Sequence, residues 1–153
     1  MSKNFLGFLI AFSTIFVIDQ FLKTLFLEGY RFDGEFFSLI LTFNKGVAFS
    51  MLSFLEEHLK YVQLLLILSV GIYLFIEKHL FKEHGLAFGL IAGAALSNIY
   101  DRFLHGGVVD YFFWHYGFEF AVFNFADVMI DVGVALIIWR SWRASKKHSE
   151  DYM

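Results

Sequence analysis

Two aspartates stand where carboxylates are expensive. Asp110 ends the run Gly106-Gly107-Val108-Val109-Asp110, and Asp127 interrupts the apolar stretch Phe123-Asn124-Phe125-Ala126-Asp127-Val128-Met129-Ile130. A carboxylate in or beside hydrocarbon marks function, because its desolvation has to be offset by a partner or a role. Two carboxylates sharing one site cannot both ionise cheaply, so one keeps a proton while the other stays charged. That gives an acid and a base at one working pH. The base takes a proton from water while the acid protonates an amide carbonyl oxygen, and a tetrahedral intermediate forms without a serine or cysteine nucleophile. Intramembrane acids also serve ion pathways, so spacing alone leaves open both a peptidase and a small proton-coupled transporter or channel using Asp19, Asp127 and Asp131 as a relay.

Other polar groups fall at helical spacings around this pair. Asn124, Asp127 and Asp131 lie at i, i+3 and i+7, which puts them on one face of a helix that must point into a bundle. Asp19 and Lys23 lie at i and i+4 with the acid first, the better order for an ion pair, and read as support for the site. In Ser97-Asn98-Ile99-Tyr100-Asp101-Arg102, the spacing lets Asn98 bond Asp101 and Arg102. Gly106 and Gly107 then allow a tight turn that returns Asp110 toward Asp127. His105 and His115 could join Asp110 at a metal, but the chain lacks the two-histidine helical pattern of zinc proteases, and solvated loop histidines are the expectation. No metal or cofactor is expected.

The elements that must position these groups are membrane helices. The 153 residues are 58% hydrophobic and 21% aromatic, with a mean hydropathy of +0.62, too apolar for an ordinary soluble domain. Cysteine and proline are both absent, which excludes disulfides and thiolate chemistry and leaves helices free of proline kinks. A net charge of −3 argues against a nucleic-acid partner. Four segments approach the ~20 residues that cross a bilayer, at about 4–27, 59–76, 85–104 and 121–139. The fold class expected is an all-α, four-helix membrane bundle forming one domain. The first segment lacks a small-x-small cleavage site and is expected to remain as an uncleaved span.

Lys3, Lys78, Lys82, Arg140, Arg143, Lys146 and Lys147 place both termini in the cytoplasm, with loops 28–58 and 105–120 outside. Alternation in Phe37-Ser38-Leu39-Ile40-Leu41-Thr42-Phe43 predicts a short strand in the outer loop, beside a short outer helix or lid. Gly85, Gly89, Gly93 and Ser97 recur every four residues, which predicts close helix packing; a lipid-chain groove is the other reading.

Four ordered motifs carry a resemblance over the whole chain. They are Asp19-Gln20-Phe21-Leu22-Lys23; Phe43-Asn44-Lys45-Gly46-Val47-Ala48-Phe49-Ser50; Ser97-Asn98-Ile99-Tyr100-Asp101-Arg102 with Gly107-Val108-Val109-Asp110; and Phe123-Asn124-Phe125-Ala126-Asp127. This pattern resembles the lipoprotein (type II) signal peptidase family. The resemblance implies a multi-pass enzyme of the bacterial cytoplasmic membrane that cuts signal peptides from diacylglyceryl-modified prolipoproteins, just before the lipidated cysteine. It implies Asp110 and Asp127 as the catalytic pair, near the outer face. By the same motifs, Asn44 and Gly46 contact the substrate backbone, Asn98, Arg102 and Asn124 order the site, and Asp19 and Lys23 form the first-span motif.

Two positions depart from the family pattern: Ser97, where glycine often precedes the asparagine, and Tyr111, where phenylalanine is common. Asp131 lies outside the signature. A monomer is expected, in contact with prolipoprotein substrate and membrane lipid. The loop 28–58 is expected to fold over the site as a lid, with Phe49 and Met51 meeting lipidated peptide.

Overall fold

The computed structural model describes residues 3–46 and 53–150, and the proposed lid positions Phe49 and Met51 lie outside them. Four helices make the frame: α1 (Lys3–Leu27), α2 (Leu59–Ile76), α3 (Lys78–His105) and α4 (Phe125–Glu150). Two of them, α1 with 25 residues and α2 with 18, are long and apolar enough to cross a membrane, each with a hydropathy of 2.0. Their outward faces stay apolar, with Val17, Phe21, Leu65, Leu66, Ile72 and Phe75 exposed. A surface of that kind suits hydrocarbon. The longer α3 carries Asp101 and Arg102 and α4 carries Asp127, while α1 contributes Asp19 and Lys23.

Helix α3 is the hub, packed by α1, α2 and α4. The small-residue stripe explains how. An added Cβ at Gly89 would lie 2.5 Å from the Phe8 carbonyl oxygen, and one at Gly93 would run into that of Phe12. The stripe is therefore filled by the backbone of α1, which is the close helix packing expected rather than the alternative of a lipid groove. Above it, Ile15, Ala94 and Ala126 bring α1, α3 and α4 together in a core of short side chains.

Two helix starts differ from the expectation, and α4 also runs on to Glu150, past the expected 139. Helix α3 starts at Lys78, directly after Glu77, because Lys78, Lys82 and Glu83 are good helix formers on its first turns rather than loop residues. Helix α4 starts at Phe125 rather than near Ala121. The preceding residues are held extended, with the Phe123 carbonyl accepting from the Tyr111 and Phe112 amides at 3.1 and 2.9 Å.

The expected loop 105–120 also contains a strand. β-Branched and aromatic residues over Val108–Trp114 form β3, which completes an antiparallel sheet with β1 (Phe32–Asp33) and β2 (Phe37–Asn44) in the order β1-β2-β3. Strand β2 was predicted, and a short 3-10 helix at Ser53–His58 occupies the place of the expected outer helix. Gly106 ends α3 in the left-handed conformation, φ 72°, which an L side chain resists. The chain then turns straight into β3, where Thr42 faces Asp110 and Asn44 faces Val108.

Candidate active site

The sheet and the start of α4 deliver the two aspartates to one cavity. Asp110, on β3 outside the helices, is only 2% exposed. Its Oδ1 accepts from Asn124 Nδ2 at 2.7 Å and its Oδ2 from Asn44 Nδ2 at 3.0 Å. The Asn44 amide is held in that sense because its Oδ1 accepts from the Gly46 N–H at 2.9 Å.

Asp127 sits in the first turn of α4, in a reciprocal cap. Its Oδ2 accepts from the Asn124 N–H at 3.0 Å, while the Asn124 Oδ1 accepts from the Asp127 N–H at 2.9 Å. This satisfies two amides that a helix start leaves unpaired. The remaining oxygen, Oδ1, accepts from Asn98 Nδ2 at 3.0 Å. Asn124 is thus a cap rather than a member of a buried stripe, and it holds both aspartates at once. Asp131 is exposed one turn further along, at the cavity wall.

Beneath the pair lies a second charged layer. Lys23 is 1% exposed and bridges Asp19 and Asp101, each at 2.6 Å, while donating to Asn98 Oδ1 at 2.7 Å. Asp19 in turn accepts from the Ala126 N–H at 2.9 Å and from Ser97 Oγ at 2.6 Å. Asp101 accepts from the Val109 N–H at 3.1 Å. Lys23 therefore links α1 to α3, and its two carboxylates pin the start of α4 and strand β3. Such a buried network is costly to break at any one point.

The expected bonds of Asn98 to Asp101 and Arg102 are replaced by this arrangement. Asn98 turns to Lys23, Asn124 and Asp127. Asp101 meets it only through Lys23. Arg102 donates instead to the backbone carbonyls of Asn44, at 3.0 Å, and of Gly46. Its guanidinium so fastens the end of β2 over the cavity.

Spacing had not assigned roles to four of the participants. Ser97 closes the small-residue stripe yet bonds Asp19, and Gln20 Nε2 reaches Ser97 Oγ and Asp101 Oδ1 at 2.9 and 2.8 Å. The Tyr111 hydroxyl oxygen accepts from the Phe125 N–H at 3.1 Å, so the departure from phenylalanine supplies another helix-start partner. Gln63, on α2, lines the cavity. A polar residue on an otherwise apolar helix was the available signal.

Burial, and next the charge of Asp127, push the Asp110 carboxyl up from 3.8 to about 7, against the lowering effect of the Asn44 and Asn124 amides and of Lys23. Burial also raises the Tyr111 hydroxyl far above its usual range. The cavity is ≈ 590 Å³ and joins Asp110 and Asp127 to Asn44, Asn98 and Arg102, a size fit for a ligand. His115 lies toward the other end of the sheet, its Nε2 2.9 Å from Ser38 Oγ, and His105 is exposed beside the Phe43 ring. Among the described residues no group of three or more histidines and carboxylates is placed to hold a metal ion.

Residues 11–143 match the family model described as Signal peptidase (SPase) II. A lipoprotein signal peptidase of Helicobacter pylori (strain Shi470) is 53% identical over 148 residues, covering 97% of this chain and 94% of that protein. One of Campylobacter jejuni subsp. jejuni serotype O:6 is 57% identical, covering 84% and 82%. Among solved structures, a bacterial membrane enzyme determined by the in meso method at 2.3 Å resolution superposes with a TM-score of 0.77 at 26% identity, covering 92% of this chain and 90% of that one. A second, at 1.9 Å, gives 0.70 at 27% identity, with 86% and 89% covered. The chain belongs to the signal peptidase II family, whose named relatives are lipoprotein signal peptidases.

Proposed function

We propose that this chain is a membrane aspartic endopeptidase that removes the signal peptide from diacylglyceryl-modified prolipoproteins, cutting on the N-terminal side of the lipidated cysteine. Asp110 and Asp127 are its catalytic pair. One observation carries the reading: both carboxyl groups line one cavity, and three asparagine side chains donate to them. The pair holds one proton at neutral pH, consistent with Asp110 displaced to about 7. The charged member draws a proton from water, the protonated member donates to the scissile carbonyl, and the roles reverse as the amine leaves.

Asn98, Asn124 and Arg102 order this centre, while Asn44 and Gly46 present backbone and side chain to an extended peptide. Asp19 and Lys23 act as support. Four spans with both termini in the cytoplasm bring the pair to the outer face, where a membrane-anchored substrate exposes its cleavage site. A relay through the bundle is disfavoured by Asp19, whose two oxygens are engaged by Ala126, Ser97 and Lys23 in the interior.

The test compares purified protein on a diacylglyceryl-modified precursor and on the same precursor without lipid. Rapid cleavage confined to the lipidated form is expected. Equal cleavage of both would refute the substrate assignment, and no cleavage of either would refute the activity.

A further inference from the structure

The cavity continues past the aspartate pair, between α2 and α4, and two hydrogen-bond acceptors wait there. Gln63 lines it from α2, and its Oε1 is buried without a partner among the described residues. Asp131 lines it from α4, four residues beyond Asp127, about 6 Å further along the helix. Gln63 lies four residues into α2 and Asp131 six residues beyond Phe125, so the two sit at comparable depth from the ends nearest the sheet, about 6 and 9 Å. Val128 and Ile130 supply apolar wall around them.

A buried amide oxygen without a partner is a standing penalty, which a bound donor would relieve. The Asp131 carboxyl oxygens are acceptors as well. The occupant is therefore an apolar body that carries N–H or O–H donors. The diacylglyceryl group leaves Oε1 and the Asp131 carboxyl unmet, since its ester oxygens only accept and could meet Gln63 only through Nε2. A peptide meets the requirement. Hydrolysis needs the chain extended at the scissile bond, and unwinding a signal helix there frees amide N–H groups that find no water in hydrocarbon.

We propose that Gln63 and Asp131 form a polar ledge that accepts hydrogen bonds from the unwound signal-peptide segment beside the scissile bond. The ledge rests on the peptidase reading above. It lets the substrate leave its helix without stranding its donors, and it sets affinity for the peptide rather than for the lipid.

The experiment measures kcat and KM for wild type, Gln63→Leu and Asp131→Ala on lipidated precursor peptides. One set of peptides replaces single amides on the signal-peptide side of the cut by esters, and another replaces nearby serine or threonine by alanine or valine. Each variant is expected to raise KM roughly tenfold with kcat within about twofold, the pattern of lost uniform binding. The penalty should vanish on the peptide that lacks the matching donor. Loss at an ester position identifies a backbone amide, and loss at a replaced hydroxyl identifies a side chain; either supports the ledge.

Equal KM changes on every peptide, or unchanged KM throughout, would overturn it. Thermal midpoints separate a structural role, because Gln63→Leu should not lower the midpoint where Oε1 has no partner to lose. A lowered midpoint with unchanged KM also overturns the ledge. Failure of the wild type to cleave lipidated peptide would instead strike the peptidase reading itself.

Discussion

Asp110→Asn removes a charge that the fold holds at a disadvantage, and the sign of its effect on stability should reverse with pH. The Asp110 carboxyl moves from an ordinary 3.8 to about 7 in the folded chain. At 1.36 kcal/mol per pKa unit, this is about 4 kcal/mol in favour of the neutral form. A carboxyl raised in this way leaves the folded state at full advantage below 3.8, loses that advantage as pH climbs, and reaches a constant penalty above about 7.

The asparagine has no such penalty, but it loses a bond. Asn124 Nδ2 would keep an oxygen to donate to, whereas Asn44 Nδ2 would face the new amide nitrogen, and its own oxygen is engaged by Gly46. A lost buried bond costs about 1–3 kcal/mol. The variant should therefore be less stable than wild type by about 1–3 kcal/mol at pH 4 and more stable by about the same amount at pH 8. Thermal or denaturant unfolding in detergent across that range reads the difference directly. Parallel curves, with a constant gap at every pH, would refute the reasoning.

Three further outcomes follow from the packing. Lys23→Met strands Asp19 and Asp101 in the interior and should destabilise by about 3–5 kcal/mol in denaturant unfolding, more than the triple variant that also carries Asp19→Asn and Asp101→Asn. Gly93→Ala drives a methyl into the Phe12 carbonyl and should lower stability by about 1–3 kcal/mol, read as the thermal midpoint, whereas Gly85→Ala meets its nearest atom at 3.1 Å and should be milder. Asn124→Ala removes the cap of α4 and a buried donor to Asp110, so cleavage should fall about 100-fold and stability by about 2–4 kcal/mol.

Much of the frame was legible because hydropathy and small-residue spacing act locally. The ends of α1 and α2, strand β2 and the contact made by Gly89 and Gly93 all follow from patterns within single segments. Strand β3 was hidden by its sequence, Val-Val-Asp-Tyr-Phe-Phe-Trp, whose apolar run offers no alternation and reads as interface until β2 pairs with it. The start of α4 was misplaced for a related reason. Ala121 and Val122 continue the hydropathy of the helix, and only the long-range bonds of Phe123 to β3 hold them extended.

The polar site shows the same division. The Asp19–Lys23 pair is an i, i+4 contact and was readable. The partners of Asn98, Asp101 and Arg102 were not, since they come from α1, β2 and α4. Local spacing named groups able to bond one another, and tertiary packing supplied stronger partners. Asp127 was read as a member of a helical stripe, whereas its reciprocal bonds with Asn124 place it at a helix start, where it meets the cavity from the rim.

The central claim is that Asp110 and Asp127 together activate water. Its most direct test is the single-turnover rate of Asp127→Asn on a diacylglyceryl-modified precursor, with folding verified by the thermal midpoint. The account predicts a fall of about 1,000-fold or more, in keeping with the loss of a general acid–base partner. A variant that cleaves within about threefold of wild type would contradict it.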